Sequence, residues 1–116
     1  MLSQMEQVLE KLQSSTVKEY LLDQKIEYLA LFGSASRGED RPDSDVDLLV
    51  RFGRPIGLFG QAGVQLDLEK MIGRPVDLVT EGAMSARIRP YIEPDLKVVY
   101  VKQDMLEKSL ASEYET

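Results

Sequence analysis

The sequence predicts an α+β domain, α/β-like in its mix of elements: a small mixed sheet flanked by helices. Three stretches carry that expectation. The run DVDLLVRF (45–52) alternates, with Asp45, Asp47, Leu49 and Arg51 on one side and Val46, Leu48, Val50 and Phe52 on the other, which is the period of a strand. The run IEYLALF (26–32) is built of strand formers and reads as a central strand. After the Asp-bearing strand, helical spacing returns over 58–72 and is followed by a short strand, PVDLVT (75–80).

In chain order, residues 2–13 form a helix with Leu2, Met5, Leu9 and Leu12 on one stripe. Ser14-Ser15 breaks that pattern. Thr16 with Glu19 three residues later is a capping box, so a second helix is expected from about Val17 to about Lys25. The central strand follows and ends at Gly33. Residues 34–38 make about one helical turn, and 39–44 are a polar loop with Pro42-Asp43 as turn residues. Gly53-Arg54-Pro55 closes the Asp strand. The helix over 58–72 has Leu58, Phe59, Val64, Leu68, Met71 and Ile72 as its expected buried set, and Gly73 as its stop. A helical turn is expected over 85–89, a last strand over 96–101, and a fraying helix over 103–116. The whole chain, 1–116, reads as a single domain, with 1–15 and 103–116 as extensions.

Composition narrows the chemistry. The 116 residues contain no cysteine, so there is no disulfide framework and no thiolate site, which fits the cytoplasm. They contain no histidine, which removes imidazole acid–base catalysis and most zinc sites. Catalysis would then run on carboxylates, hydroxyls, Lys or Arg, with a metal as natural helper. No apolar run approaches the ~20 residues that span a bilayer, and the first thirteen residues are charged and lack a signal-peptide core. The net charge of −6, without a long basic run, disfavours direct binding of a polynucleotide.

The candidate site lies in residues 33–52, GSASRGEDRPDSDVDLLVRF. On a strand, Asp45 and Asp47 leave the same face, roughly 7 Å apart along the chain. Two adjacent carboxylates repel unless a cation lies between them, and Mg²⁺ accepts carboxylate oxygens while sharing its other positions with substrate phosphates. Gly33 at the end of a buried strand lets the backbone turn sharply and approach a ligand. Ser34 can cap a helix start whose N–H groups bind phosphate. Asp77 is a third carboxylate on a strand that could lie beside the first two. Asp45 and Asp47 could instead be solvated edge-strand residues, and Asp77 a plain exposed one; the agreement of all three with Gly33-Ser34 favours a metal site. Arg37 is a candidate for contact with a triphosphate or a partner, or a plain surface arginine. Gly33 to Gly38 has the glycine spacing of a P-loop but is followed by Glu39-Asp40 instead of Lys and Ser/Thr, which rejects a Walker-type NTPase.

Gly33-Ser34, ten intervening residues and Asp45-x-Asp47 resemble the signature of the polymerase-β-like nucleotidyltransferases. With LEKMIGRPVDLVTEGAM (68–84) downstream, the chain is similar to the minimal nucleotidyltransferase (MNT) domains, the antitoxin halves of HEPN–MNT toxin–antitoxin pairs. The resemblance covers about Thr16 to Val101; Ser36, where relatives often carry Ala, is a small departure. It implies the polymerase-β-like fold, and transfer of AMP from ATP to a tyrosine of a HEPN ribonuclease partner, silencing it. It also implies Asp45 and Asp47 as ligands of two Mg²⁺ ions. Asp77 would touch one metal and help deprotonate the attacking hydroxyl, and Gly33 and Ser34 would hold the β- and γ-phosphates. Two rival readings stand beside this one. One is a non-catalytic antitoxin that neutralises its partner by covering it. The other is nucleotidylation of a small molecule, for which the chain lacks a second acceptor-shaping domain.

Overall fold

The computed structural model describes residues 4–33, 45–84, 86–87 and 89–102. Helices α1 (Gln4–Leu12) and α2 (Ser15–Asp23) precede strands β1 (Ile26–Phe32) and β2 (Val46–Phe52). Helix α3 (Leu58–Ile72), strand β3 (Val76–Thr80), the one-turn helix α4 (Arg89–Ile92) and strand β4 (Lys97–Val101) complete the order, with single 3₁₀ turns over Glu81–Ala83 and Glu93–Asp95. The four strands lie in the order β3-β2-β1-β4. β1 is antiparallel to both β2 and β4, and β2 is parallel to β3. The sheet is therefore mixed and the fold α+β, as the sequence predicts, with β1 central.

The alternation of the strands decides where the core sits. Leu29 and Leu31 of β1, Val46, Leu48 and Val50 of β2, and Val76 and Leu78 of β3 share one face. They form one cluster with Val8 and Leu12 of α1, Val17 and Leu21 of α2, and Val64, Leu68 and Ile72 of α3. Burial of these branched side chains contributes roughly 1.5–3 kcal/mol each before the entropy of ordering is set against it. Among the described residues, no helix is long and apolar enough to cross a membrane.

The edges are handled by side chains. β3 is an edge strand, and a row on α3 at i, i+4 and i+8 satisfies its outward backbone. Gln61 Nε2 donates to the Leu78 carbonyl at 3.2 Å, the Leu78 N–H donates to Gln65 Oε1 at 3.3 Å, and the Val76 N–H donates to Glu69 Oε2 at 2.8 Å. Unpaired edge groups would otherwise invite another strand. The opposite edge, β4, is irregular against β1 and carries an exposed Lys97.

Several sequence expectations are corrected. The cap of α2 is Ser14, not Thr16: the Val17 N–H donates to Ser14 Oγ at 3.4 Å, while that hydroxyl donates back to the Lys11 carbonyl at 2.7 Å. One serine thus closes α1 and opens α2, and Thr16 falls inside the first turn. The helix stops at Asp23, ahead of Lys25, which takes the left-handed conformation at φ 60°. On α1 the inward residues are Val8 and Leu12, with Leu9 partly buried; Leu2 and the Met5 side chain lie outside the described residues. Leu58 and Phe59 are 82% and 96% exposed rather than buried. The inward arc of α3 is set by Val64, Leu68 and Ile72, and Phe59 projects from the other side. The helical turn expected over 85–89 falls later, as α4, with Ser85 and Ile88 outside the described residues. Helix 58–72 ends as predicted, with Gly73 at φ 72° donating its N–H to the Glu69 carbonyl at 2.8 Å. The expected turn over 34–38, the loop over 39–44 and the tail helix lie outside the described residues.

Candidate active site

The face of the sheet away from the three helices carries the carboxylates. Asp45 is exposed and stands immediately before β2. The adjacent Val46 N–H is fixed by the Pro75 carbonyl at 2.8 Å, which locks the start of β2 to the start of β3. Asp47 is half-buried in β2. Its register partners are Phe32 on one side and Asp77 on the other. The parallel pairing of β2 and β3 therefore sets Asp47 and Asp77 directly opposite each other, which the sequence left open. Like charges facing across a strand pair are unfavourable, so this arrangement costs stability in the resting protein.

Gly33 follows Phe32 and brings the chain against Asp47. Its φ is +77°, a conformation in which a Cβ meets the following carbonyl. A side chain there would also collide with Asp47 Oδ2 and lie 3.1 Å from its Cγ. The glycine is thus required twice, by its backbone and by the carboxylate beside it. Asp45, Asp47, Asp77 and Gly33 are brought to one end of β2. Ser34 and Arg37 lie outside the described residues, as does the loop leading to Asp45.

The residues present fit a hard divalent cation. Among the described residues no group of three or more carboxylates or imidazoles closes into a metal cage. Mg²⁺ rarely uses such a cage; it takes one or two carboxylates and completes its shell with water and substrate phosphates. Carboxylates ranged along one strand and across to its neighbour, beside a glycine that keeps the space clear, are that kind of donor set.

Farther along the same strands an open cavity of about 410 Å³ is lined by Val50, Arg51, Phe52, Thr80, Glu81 and Gly82. It lies at the opposite end of β2 from Asp45, some 13 Å along the strand from Asp47 at ~3.3 Å per residue, so it is separate from the carboxylates. None of its residues stood out in the sequence; the only hint was that Arg51 falls on the aspartate face. Arg51 Nε is 3.5 Å from Glu27 Oε1 in a half-exposed ion pair, which is worth little by itself. Nearby, burial and the Glu81 carboxylate raise the Tyr28 hydroxyl above its usual pKa, against a smaller opposing effect of Arg89.

Comparison with known proteins identifies the family and the fold. The family model described as a nucleotidyltransferase domain matches residues 8–109. MJ1217 of Methanocaldococcus jannaschii, assigned as a protein adenylyltransferase, is 30% identical over 82% of this chain and 94% of its own length. The protein adenylyltransferase MntA of Thermococcus cleftensis is 37% identical over 63% of this chain and 72% of its own. A solved structure described as a minimal nucleotidyltransferase shares 34% identity, with a TM-score of 0.65 over 77% of this chain and 93% of that one. A toxin–antitoxin complex with AMP-PNP has the same fold, with a TM-score of 0.64 at 22% identity over 85% of this chain and 84% of that one. The chain belongs to the nucleotidyltransferase domain family. Within it, the protein is an enzyme of the nucleotidyltransferase class.

Proposed function

We propose that this enzyme is a Mg²⁺-dependent protein adenylyltransferase. It moves AMP from ATP onto a tyrosine of a HEPN-domain ribonuclease and so acts as that toxin's antitoxin. The observation that carries the reading is the register of Asp47 opposite Asp77, with Asp45 at the mouth of β2 and Gly33 against Asp47. The acceptor class is supported by the relatives named protein adenylyltransferases and by the likeness to toxin–antitoxin complexes.

Asp45 and Asp47 would hold two Mg²⁺ ions, with Asp77 touching one of them. When bound, such ions lower the pKa of an acceptor hydroxyl and neutralise charge developing at the α-phosphorus. The chain's own residues supply the rest. Gly33 leaves the space beside Asp47 open; with Ser34 it would hold the β- and γ-phosphates, and Arg37 would stabilise the triphosphate. The tyrosine oxygen bonds the α-phosphorus, the bond to pyrophosphate breaks, and Asp77 accepts the hydroxyl proton. A carboxylate in that position serves as general base where no histidine exists in the chain. ATP as donor sets the reaction in the cytoplasm.

The test uses ATP labelled at either the α- or the γ-phosphate, with Mg²⁺ and the HEPN protein encoded beside this one. Label from α-ATP alone is expected on the HEPN protein, and chelation of Mg²⁺ should remove it. Label from γ-ATP would show phosphoryl transfer and overturn the reading. Stable complex formation with no label would favour an antitoxin that acts by covering its partner.

A further inference from the structure

The link from β3 to β4 runs over the aspartate face of the sheet. β4 is antiparallel to β1, β1 is antiparallel to β2, and β2 is parallel to β3. β3 and β4 therefore run the same way at opposite edges of the sheet, and residues 81–96 pass across β2 and β1 to join them. Connections between parallel strands of one sheet are right-handed. The step from β2 to β3 through α3 and the step from β3 to β4 go in opposite directions along the sheet, so they lie on opposite faces. α3 packs on the helix side, which puts the second link on the side of Asp47 and Asp77.

Two observations agree. The Arg89 charge acts on the Tyr28 hydroxyl, and Tyr28 is the register partner of Arg51 on the aspartate face. Ala30 and Leu49 pair on that same face, between Tyr28–Arg51 and Phe32–Asp47. They are buried, at 0% and 2% exposure, yet lie outside the helix-side cluster, as a segment crossing above them would make them. The link ends close to the site: Lys97 at the start of β4 pairs with Leu31, one residue before Phe32 and the Asp47 row. It thus forms a wall slanting from the far end of β3 towards the end of β1 that carries Gly33. On this wall α4 carries Tyr91, 80% exposed, and Arg89, whose Nε lies 3.3 Å from Glu93 Oε1.

We propose that this wall, through Tyr91, docks the protein that presents the acceptor tyrosine. The inference rests on the adenylyltransferase reading above. The three helices close the other face, so an acceptor hydroxyl reaches Asp77 from the aspartate face, and the body of the acceptor protein lies on the side that the link occupies. Tyrosine and arginine are enriched among the side chains that anchor protein interfaces. A nucleotide fits Tyr91 less well. Small ligands are held in concave pockets that bury most of their surface, whereas this ring stands clear of the chain.

Titration calorimetry of the HEPN protein into the full chain, without ATP, reads docking directly. Steady-state transfer from α-labelled ATP then reads which substrate is affected. Tyr91→Ala is expected to weaken binding about tenfold or more, the loss of a truncated interface anchor. KM for the HEPN protein should rise by a similar factor, with KM for ATP and the thermal midpoint unchanged. Tyr91→Phe should restore most of the affinity, since the ring supplies most of the contact. Unchanged binding and unchanged KM for the HEPN protein in Tyr91→Ala overturns the proposal. So does a rise in KM for ATP alone, which would make Tyr91 a nucleotide contact. A wild type that binds the HEPN protein but transfers no AMP overturns the transferase reading, and the calorimetry of Tyr91→Ala still decides the docking surface. A wild type that does not bind the HEPN protein overturns both.

Discussion

Gly33 and Asp47 act as one unit, because the carboxylate occupies the space that any side chain at residue 33 would need. Gly33→Ala pays for a left-handed alanine, ~1–2 kcal/mol, and must also displace Asp47. Urea titration should show a loss of at least that size, and AMP transfer should fall with it. Asp47→Asn removes charge without changing shape. It relieves repulsion with Asp77, so stability should hold or rise slightly, while AMP transfer drops more than about 10²-fold. Equal losses of stability and transfer in that variant would argue that Asp47 is structural. Which residues point the same way was readable from the sequence, since period 2 puts Asp45 and Asp47 on one face wherever a strand forms. The facing of Asp47 and Asp77 was not, because strand register is a long-range property and nothing in 75–80 announces its neighbour. The close approach of Gly33 to Asp47, as opposed to a ligand, was hidden for the same reason.

At the scale of elements, α3 is both a core helix and the guard of an edge. Glu69→Ala strips the Val76 N–H of its partner at 2.8 Å. It should cost ~1–3 kcal/mol as an unsatisfied, formerly charge-assisted bond, read by thermal unfolding at neutral pH. Gly63→Ala fills open space and should add up to ~1 kcal/mol. The α2–α3 contact contributes a pH dependence. Burial, together with the hydrogen bond to Asp67, raises the Tyr20 hydroxyl above its ordinary pKa of 10.0. The folded state therefore favours the protonated phenol. Its contribution is fully present below about pH 10, where the unfolded phenol stays protonated, and is lost progressively as pH rises above that. Tyr28 and Tyr100 are raised as well, both chiefly by burial, so Tyr20→Phe should flatten the alkaline fall in stability, not abolish it. Denaturant titrations at pH 8 and above pH 10 measure this. The bounds of α3 were readable because Gly73 stops it unambiguously. Its inward side was not, because apolar residues occupy both sides and a helical period cannot say which stripe meets the sheet. The Ser14 cap was missed because Thr16-x-x-Glu19 satisfies the same local rule, and only packing of α1 against α2 chooses between them.

For the molecule as a whole, the three helices fill one side of the sheet and the carboxylates occupy the other. A family match over residues 8–109 and aspartates in facing register describe a nucleotidyltransferase, and its proposed acceptor lies on a partner protein. Its −6 charge suits a nucleotide that arrives with its own Mg²⁺ better than a polynucleotide backbone. Intact-mass spectrometry of the HEPN protein, after incubation with ATP, Mg²⁺ and either wild-type enzyme or Asp47→Asn, puts this to trial. The expected result is added AMP mass on the HEPN protein with the wild type, none with the variant, and co-purification of both. An unchanged mass with the wild type, or AMP added equally well by Asp47→Asn, would contradict it.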